Sequence, residues 1–168
     1  MSRIWKPSVT VAAVVEREGR FLLVEEETDD GLRINQPAGH LEPDETLVQA
    51  VTRETLEETA HPFRPTALLG VYLWRNHGSD SATTYLRFAF SGELGESIAG
   101  MRLDHPIVRT LWLTPQELAQ QHARWRSPMV ARCIDDYLGG LRYPLEVLHA
   151  DPGAIGPSAG ELARGTTP

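Results

Sequence analysis

Apolar residues come in bursts along this chain, and the spacing of each burst predicts an element. Residues 8–16 (SVTVAAVVE) and 21–26 (FLLVEE) are rich in β-branched and apolar side chains. They flank Glu18-Gly19, a turn signal, which predicts a β-hairpin. Residues 65–75 and 83–91 (TTYLRFAFS) read as two further strands around the polar, turn-rich RNHGSDSA, and Ile107–Leu113 as a short one. Three helices have start signals. Asp44 is placed to cap a helix running to about Thr59, and Thr114-Pro115-Gln116-Glu117 resembles a capping box with proline at the first helical position. Ser127-Pro128 opens the third helix, and Gly139-Gly140 ends it. Strands before, between and after helices predict an α/β or α+β layered domain with a mixed sheet. Residues 1–148 read as that domain. The Gly/Pro/Ala/Ser-rich stretch 149–168 has little to bury and predicts a disordered tail.

The first helix carries the strongest anomaly. With Leu47 at zero and about 100° per residue, Val51 falls near ~40°, Ala50 near ~300°, Glu54 near ~340°, Glu58 near ~20° and Glu57 near ~280°. Three acids thus continue the stripe that Leu47, Ala50 and Val51 begin, and the face that should enter the core turns acidic. Like charges at this spacing cost roughly 0.2–0.5 kcal/mol each on an exposed helix. Burial costs more unless the acids are paired or bind metal. Arg53 can neutralise one carboxylate, not three. Hard oxygen ligands on one turn suit Mg²⁺ or Mn²⁺, which also reach substrate phosphates. Before the helix, Pro37-Ala38-Gly39 turns the chain, and Gly39 lets backbone approach a ligand closely. Carbonyls there can complete the coordination shell. Glu45, near the helix start, either stabilises the N-terminus or orients Arg53.

Composition narrows the function classes. A chain of 168 residues with 41% apolar content suits one domain with a single sizeable core. A net charge of −7 argues against nucleic acid as the main partner, while leaving small phosphorylated substrates open. The one cysteine, Cys133, lies in a helix-like run and reads as a small buried thiol. No signal-peptide core or bilayer-length apolar run is present, so a soluble cytoplasmic protein without a membrane partner is expected, as monomer or small homo-oligomer.

Read together, Gly39, Glu45, Arg53, Glu54, Glu57 and Glu58 match the leading glycine and every charged position of the pattern Gly-x5-Glu-x7-Arg-Glu-apolar-x-Glu-Glu-x-Gly-apolar. The stretch resembles the Nudix box. Thr55, Ala60 and His61 depart from it, standing where the pattern has apolar, Gly and apolar. NQPAGHLEPDETL, YLRF at 85–88, and RSPMVARCIDDY with RYPLE at 126–146 are similar to a bacterial Nudix subgroup, over roughly residues 6–148. Its members are nucleoside tri- and diphosphatases that also hydrolyse hydroxymethylpyrimidine and thiamine pyrophosphates.

This resemblance implies a Nudix α/β/α sandwich, Mg²⁺ dependence with Mn²⁺ as a substitute, and release of inorganic phosphate in single steps. Gly39, Glu54, Glu57 and Glu58 are then the metal-site candidates, with Glu54 either a ligand or the general base. Arg53 holds a glutamate ionised and aimed. Asp104 is a candidate for a further acid and His105 for an acid or base. Arg87, inside an apolar strand, needs an anionic partner, either substrate phosphate or a structural carboxylate. Trp74 and Tyr85 are candidates to stack on a ring. His40 is a candidate for phosphate contact, and the resemblance adds Gln36 and Tyr143 as substrate contacts. Two other readings are an ADP-ribose or dinucleotide pyrophosphatase and a catalytically silent nucleotide-binding domain. The retained acids weigh against the silent domain.

Overall fold

A computed structural model of the protein describes residues 4–77 and 82–155. In chain order its elements are β1 (Ser8–Val14), β2 (Glu16–Arg17), β3 (Arg20–Thr28), β4 (Gly31–Asn35), β5 (Ala38–His40) and α1 (Leu47–Thr59). There follow β6 (Phe63–Arg75), β7 (Thr84–Leu94), β8 (Ile107–Leu113), α2 (Pro115–Ala119) and α3 (Met129–Leu138). One sheet has the order β5-β1-β7-β6, with β1 parallel to β7 and the other pairs antiparallel. A second sheet holds β2, β3 and β4, with β8 paired to β3.

Strand β1 shows why the sheet is covered on both faces. Successive side chains of a strand point to opposite sides. Val11 and Ala13 pack with Leu22, Phe90 and the α1 residues Ala50 and Val51. Ala12 and Val14 pack with Leu69, Ala89 and the α3 residues Val130, Cys133 and Ile134. A strand buried on both faces reads as a continuous apolar run, as VAAVV does here. Each fully buried Val, Leu or Phe contributes on the order of 1.5–3 kcal/mol. The layered α/β/α architecture with a mixed sheet agrees with expectation, and Cys133 is a buried thiol, pushed up to about 11 by burial.

Four details differ from the sequence reading. The turn at Glu18-Gly19 is present, with φ of 53° and 76°, but β1 does not pair with β3. The chain breaks at Val15, so β1 joins the first sheet and only the two-residue β2 forms the hairpin with β3. Second, Asp44 does not cap α1. Thr46 does: its side chain accepts from the Gln49 amide at 3.1 Å, and the Gln49 side chain accepts from the Thr46 amide at 2.7 Å. Asp44 instead bends the chain at φ 67° and pairs with Ile155. Third, of Pro37-Ala38-Gly39 only Pro37 bends the chain. Ala38–His40 extends along β1, with Val11 opposite Gly39. Fourth, residues 149–155 are placed: Pro152–Ala154 make a 3₁₀ turn that brings Ile155 to Asp44. The rest of the expected tail, 156–168, lies outside the described residues. Among the described residues no helix is long and apolar enough to cross a membrane.

Ala60 ends α1 in the left-handed region, at φ 57° and ψ 24°, where its amide bonds the Leu56 carbonyl at 2.8 Å. Glycine there would relieve about 1 kcal/mol of backbone cost. Ala60 is also buried, at 5% exposure, so glycine forfeits a methyl worth about 0.8 kcal/mol. The two effects nearly cancel. Ala60→Gly is therefore expected to change urea-unfolding stability by less than about 0.5 kcal/mol, while Ala60→Val, β-branched in this region, costs more than about 1 kcal/mol.

Candidate active site

The acids of α1 are organised by one guanidinium. Arg53 donates through Nε and Nη2 to the two oxygens of Glu45, at 3.0 and 2.7 Å. Its Nη1 donates to Glu54 at 2.8 Å and to Glu57 at 3.2 Å, and Nη2 also reaches the His40 carbonyl at 3.1 Å. Glu45 lies just before the N-cap Thr46, outside the first helical turn, and its carboxylate is turned to Arg53. Burial pushes the Glu45 carboxyl up, but the bidentate bond from Arg53, with the Glu42 amide, outweighs it and holds the group below the usual range. The Glu45 bond, opposed by burial and reinforced by Glu54, keeps Arg53 protonated well above its ordinary value.

Glu54 and Glu58 sit differently. The buried stripe of α1 runs through Ala50, Val51, Thr55 and Thr59, whose hydroxyls bond back to the carbonyls four residues earlier at 2.7 and 2.6 Å. A threonine is thus tolerated where the resembling pattern has an apolar residue. The acids run along the border of this stripe. Burial raises the Glu54 carboxyl against the pull of Arg53. Burial pushes Glu58 up to about 8, opposed by the Ala38 amide that it accepts from at 2.8 Å and reinforced by Glu54, Glu26 and Asp104. Gly39 is needed beside them, because a methyl there would overlap the Glu54 carboxylate.

Beside these acids lies a cavity of about 390 Å³. Gly39, Glu54 and Glu58 line it from β5 and α1, Glu26 from β3, Arg87 from β7, and Trp74 with Tyr85 from β6 and β7. Trp74 and Tyr85 are a cross-strand pair, stacked with centroids 5.7 Å apart and planes at 19°. His40 also lines the cavity, 6.5 Å from the Tyr85 ring. Arg87 is buried at 9% exposure and donates to neutral oxygens, Gln36 Oε1 at 3.3 Å and Asn35 Oδ1 at 3.4 Å. Burial lowers its guanidinium from the ordinary value. Among the described residues no carboxylate pairs with it at ion-pair distance, so of the two partners considered for Arg87 the structural carboxylate is not found. The Thr10 hydroxyl, at the same cavity, is buried with no hydrogen-bond partner among the described residues.

Other candidates lie away from the cavity. Gln36 is buried at 1% exposure, donating to the Val130 carbonyl at 2.7 Å while it accepts from Arg87, so it supports Arg87 and does not line the cavity. Tyr143 pairs with Leu68 on β6 and lines a separate groove. Asp104 stands at the end of α1, its amide donating to the Glu57 carbonyl at 2.9 Å, with its carboxylate near enough to raise Glu58. His105 is exposed and lines no cavity wall. Glu26 escaped the sequence reading. Its signal was the run Glu25-Glu26-Glu27 in one strand, which sends neighbours to opposite faces and so turns at least one acid inward. Burial raises the Glu26 carboxyl, against Arg126 and Arg87 nearby.

The residues suit a hard divalent cation. Burial raises two box carboxyls with too little positive charge to compensate, and bare backbone at Gly39 lies against one of them. All the donors are oxygens, the preference of Mg²⁺ and Mn²⁺. Among the described residues no three acidic, histidine or cysteine side chains converge closely enough to hold an ion in this arrangement. Arg53 draws Glu54 and Glu57 one way, and the Ala38 amide draws Glu58 another.

Similarity to known proteins agrees with this geometry. A model of the NUDIX domain matches residues 5–133. Proteins named Phosphatase NudJ from Escherichia coli K12 and from Shigella flexneri are 42% identical over 145 residues, which span 86% of this chain and 92% of theirs. A NUDIX hydrolase structure from Nitrosomonas europaea is 47% identical, with a TM-score of 0.84, covering 88% of this chain and 99% of that one. The MutT protein from Methanosarcina mazei Go1 shares the fold, at 20% identity and a TM-score of 0.65 over 82% of this chain and 99% of that one. By these matches over most of its length, the chain belongs to the Nudix family as one of its hydrolases.

Proposed function

We propose that residues 1–148 form an Mg²⁺-dependent hydrolase of the diphosphate linkage in nucleoside di- and triphosphates, or in hydroxymethylpyrimidine or thiamine pyrophosphate, releasing inorganic phosphate. One observation carries this reading: the cavity that Glu54 and Glu58 border is also walled by Arg87 and by the Trp74–Tyr85 stack. Anion, ring and acid recognition therefore meet in one space. The similarity to proteins named phosphatase supports the same chemistry.

In this reading Gly39, Glu57 and Glu58 would hold the cation, with Glu54 either a further ligand or the general base, and the cation would supply charge neutralisation and polarisation of phosphate oxygens. The chain's own residues do the rest. A water oxygen bonds to phosphorus, the bridging P–O bond breaks, and the leaving phosphate takes that electron pair. The water proton passes to a carboxylate, and Glu54, raised by burial and facing the cavity, is suited to receive it. Arg53 keeps Glu54 and Glu57 aimed, and Arg87 steadies the negative charge on the phosphates. The Trp74 and Tyr85 rings flank the substrate's heterocycle.

Purified protein is expected to hydrolyse at least one such diphosphate with Mg²⁺ and to stop in chelator. Free phosphate should be the product; two nucleotide-level fragments would point instead to an ADP-ribose or dinucleotide pyrophosphatase. Glu57→Gln and Glu58→Gln should each lower kcat about a hundredfold or more without unfolding the protein. For Glu54→Gln, loss of kcat with cation affinity retained identifies a base, and loss of both identifies a ligand. Gly39→Ala should fold, because the overlap falls on the movable tip of Glu54 and not on backbone, yet lose activity on a similar scale.

The Glu58 carboxyl also predicts a pH dependence for the metal-free protein. Its folded value, about 8, lies above the unfolded one, so the native state binds more protons between them. Stability in chelator should therefore fall as pH rises from about 5 to about 8. Glu58→Gln should flatten most of that slope in urea titrations.

A further inference from the structure

Among the described residues, the arginines lining the cavity are Arg87 and Arg126. They are held very differently. Arg87 is sunk between β7 and the amides of Asn35 and Gln36. Arg126 keeps 42% of its side chain exposed and, among the described residues, meets one group, Glu26 Oε1, through Nε at 3.3 Å. Its backbone is nonetheless fixed, since its amide donates to the Ile34 carbonyl of β4 at 2.8 Å and the preceding Trp125 bridges Ile34. The backbone is anchored while the guanidinium is loosely held.

Its partner is the more confined of the two. The Glu26 side chain is 14% exposed, sits in β3 at a pairing irregularity with β8, and also meets the Asn35 amide at 3.5 Å. The cavity is otherwise lined by the acids Glu42, Glu54 and Glu58, so an anionic substrate entering it needs further positive charge. The guanidinium side of this pair is half in water and makes a single contact, so Arg126 is free to turn to a better anion. A phosphate offers the guanidinium fork two parallel bonds where Glu26 provides a single contact.

We propose that Arg126 is a substrate-binding residue that leaves Glu26 to grip a phosphate of the incoming diphosphate, with Glu26 as the competing anion that holds it ready. This deepens the diphosphate reading above and rests on it for the identity of the substrate. Glu26 and the substrate compete for one guanidinium, so the two residues have opposite effects on binding.

The test is the affinity of methylenediphosphonate, a non-hydrolysable diphosphate, measured calorimetrically with Mg²⁺ present, beside KM and kcat for the best substrate. Arg126→Gln should weaken methylenediphosphonate binding and raise KM about tenfold or more, with kcat changed much less. Arg126→Lys should restore part of the loss, because the charge remains and the fork does not. Glu26→Gln should tighten binding several-fold, and adding it to Arg126→Gln should gain nothing. Unchanged affinity in Arg126→Gln, or weakening in Glu26→Gln as large as that in Arg126→Gln, would overturn the assignment, since a merely structural ion pair moves both variants the same way. If wild-type protein binds the diphosphonate with this pattern but hydrolyses no diphosphate, the reaction reading fails and the role of Arg126 stands.

Discussion

Crowding carboxylates against a sheet is electrostatically unfavourable, and this fold depends on how that cost is met. One guanidinium meets part of it. Arg53 binds Glu45 through both oxygens and shares its remaining amine between Glu54 and Glu57, so that one side chain orients three acids from two segments. Charge-assisted bonds of this kind are short and directional, which sets where each acid points as well as how charged it is. Glu58 lies outside this network. It accepts one backbone amide, and burial, reinforced by Glu54, Glu26 and Asp104, raises its carboxyl.

The sheet supplies what the helix lacks. β5 is only three residues long, yet it places the Ala38 amide on Glu58, bare backbone at Gly39 against Glu54, and the His40 carbonyl on Arg53. Pairing with β1 makes that placement rigid, and β1 is itself packed on both faces by α1 and α3. A site built on a doubly covered strand inherits the precision of the core. β7, the parallel neighbour of β1, then brings Arg87 and Tyr85 to the same space, and β6 adds Trp74 by cross-strand pairing.

Much of the site was legible because it is local. Glu54, Glu57 and Glu58 fall within one helical turn, so the 3.6-residue period is enough to place them together, and Arg53 and Glu45 follow at short offsets. What failed has more than one cause. Asp44 and Thr46 are both capable caps, and the reciprocal bonds of Thr46 with Gln49, a local capping-box spacing, give the cap to Thr46. Gly39 looked like a turn residue, although its freedom from a side chain serves the approach of Glu54 and its backbone is extended. Gln36 was assigned to the substrate and instead supports Arg87 from within the core.

The sequence by itself determined the acid-bearing helix, the layered class of the fold and the kind of ion its oxygens suit, because each follows from spacing within about twenty residues or from composition. Tertiary structure decided the opposite wall of the cavity. Glu26, Arg87, Arg126 and the Trp74–Tyr85 stack come from strands and a connector separated by up to a hundred residues of sequence, as Glu26 and Arg126 are. Strand pairing and register bring them together, and a one-residue change of register would turn each strand's side chains to the other face. No periodicity within a single segment carries that information, so the far wall of the cavity is a property of the packed sheet and the acidic cluster a property of one helix.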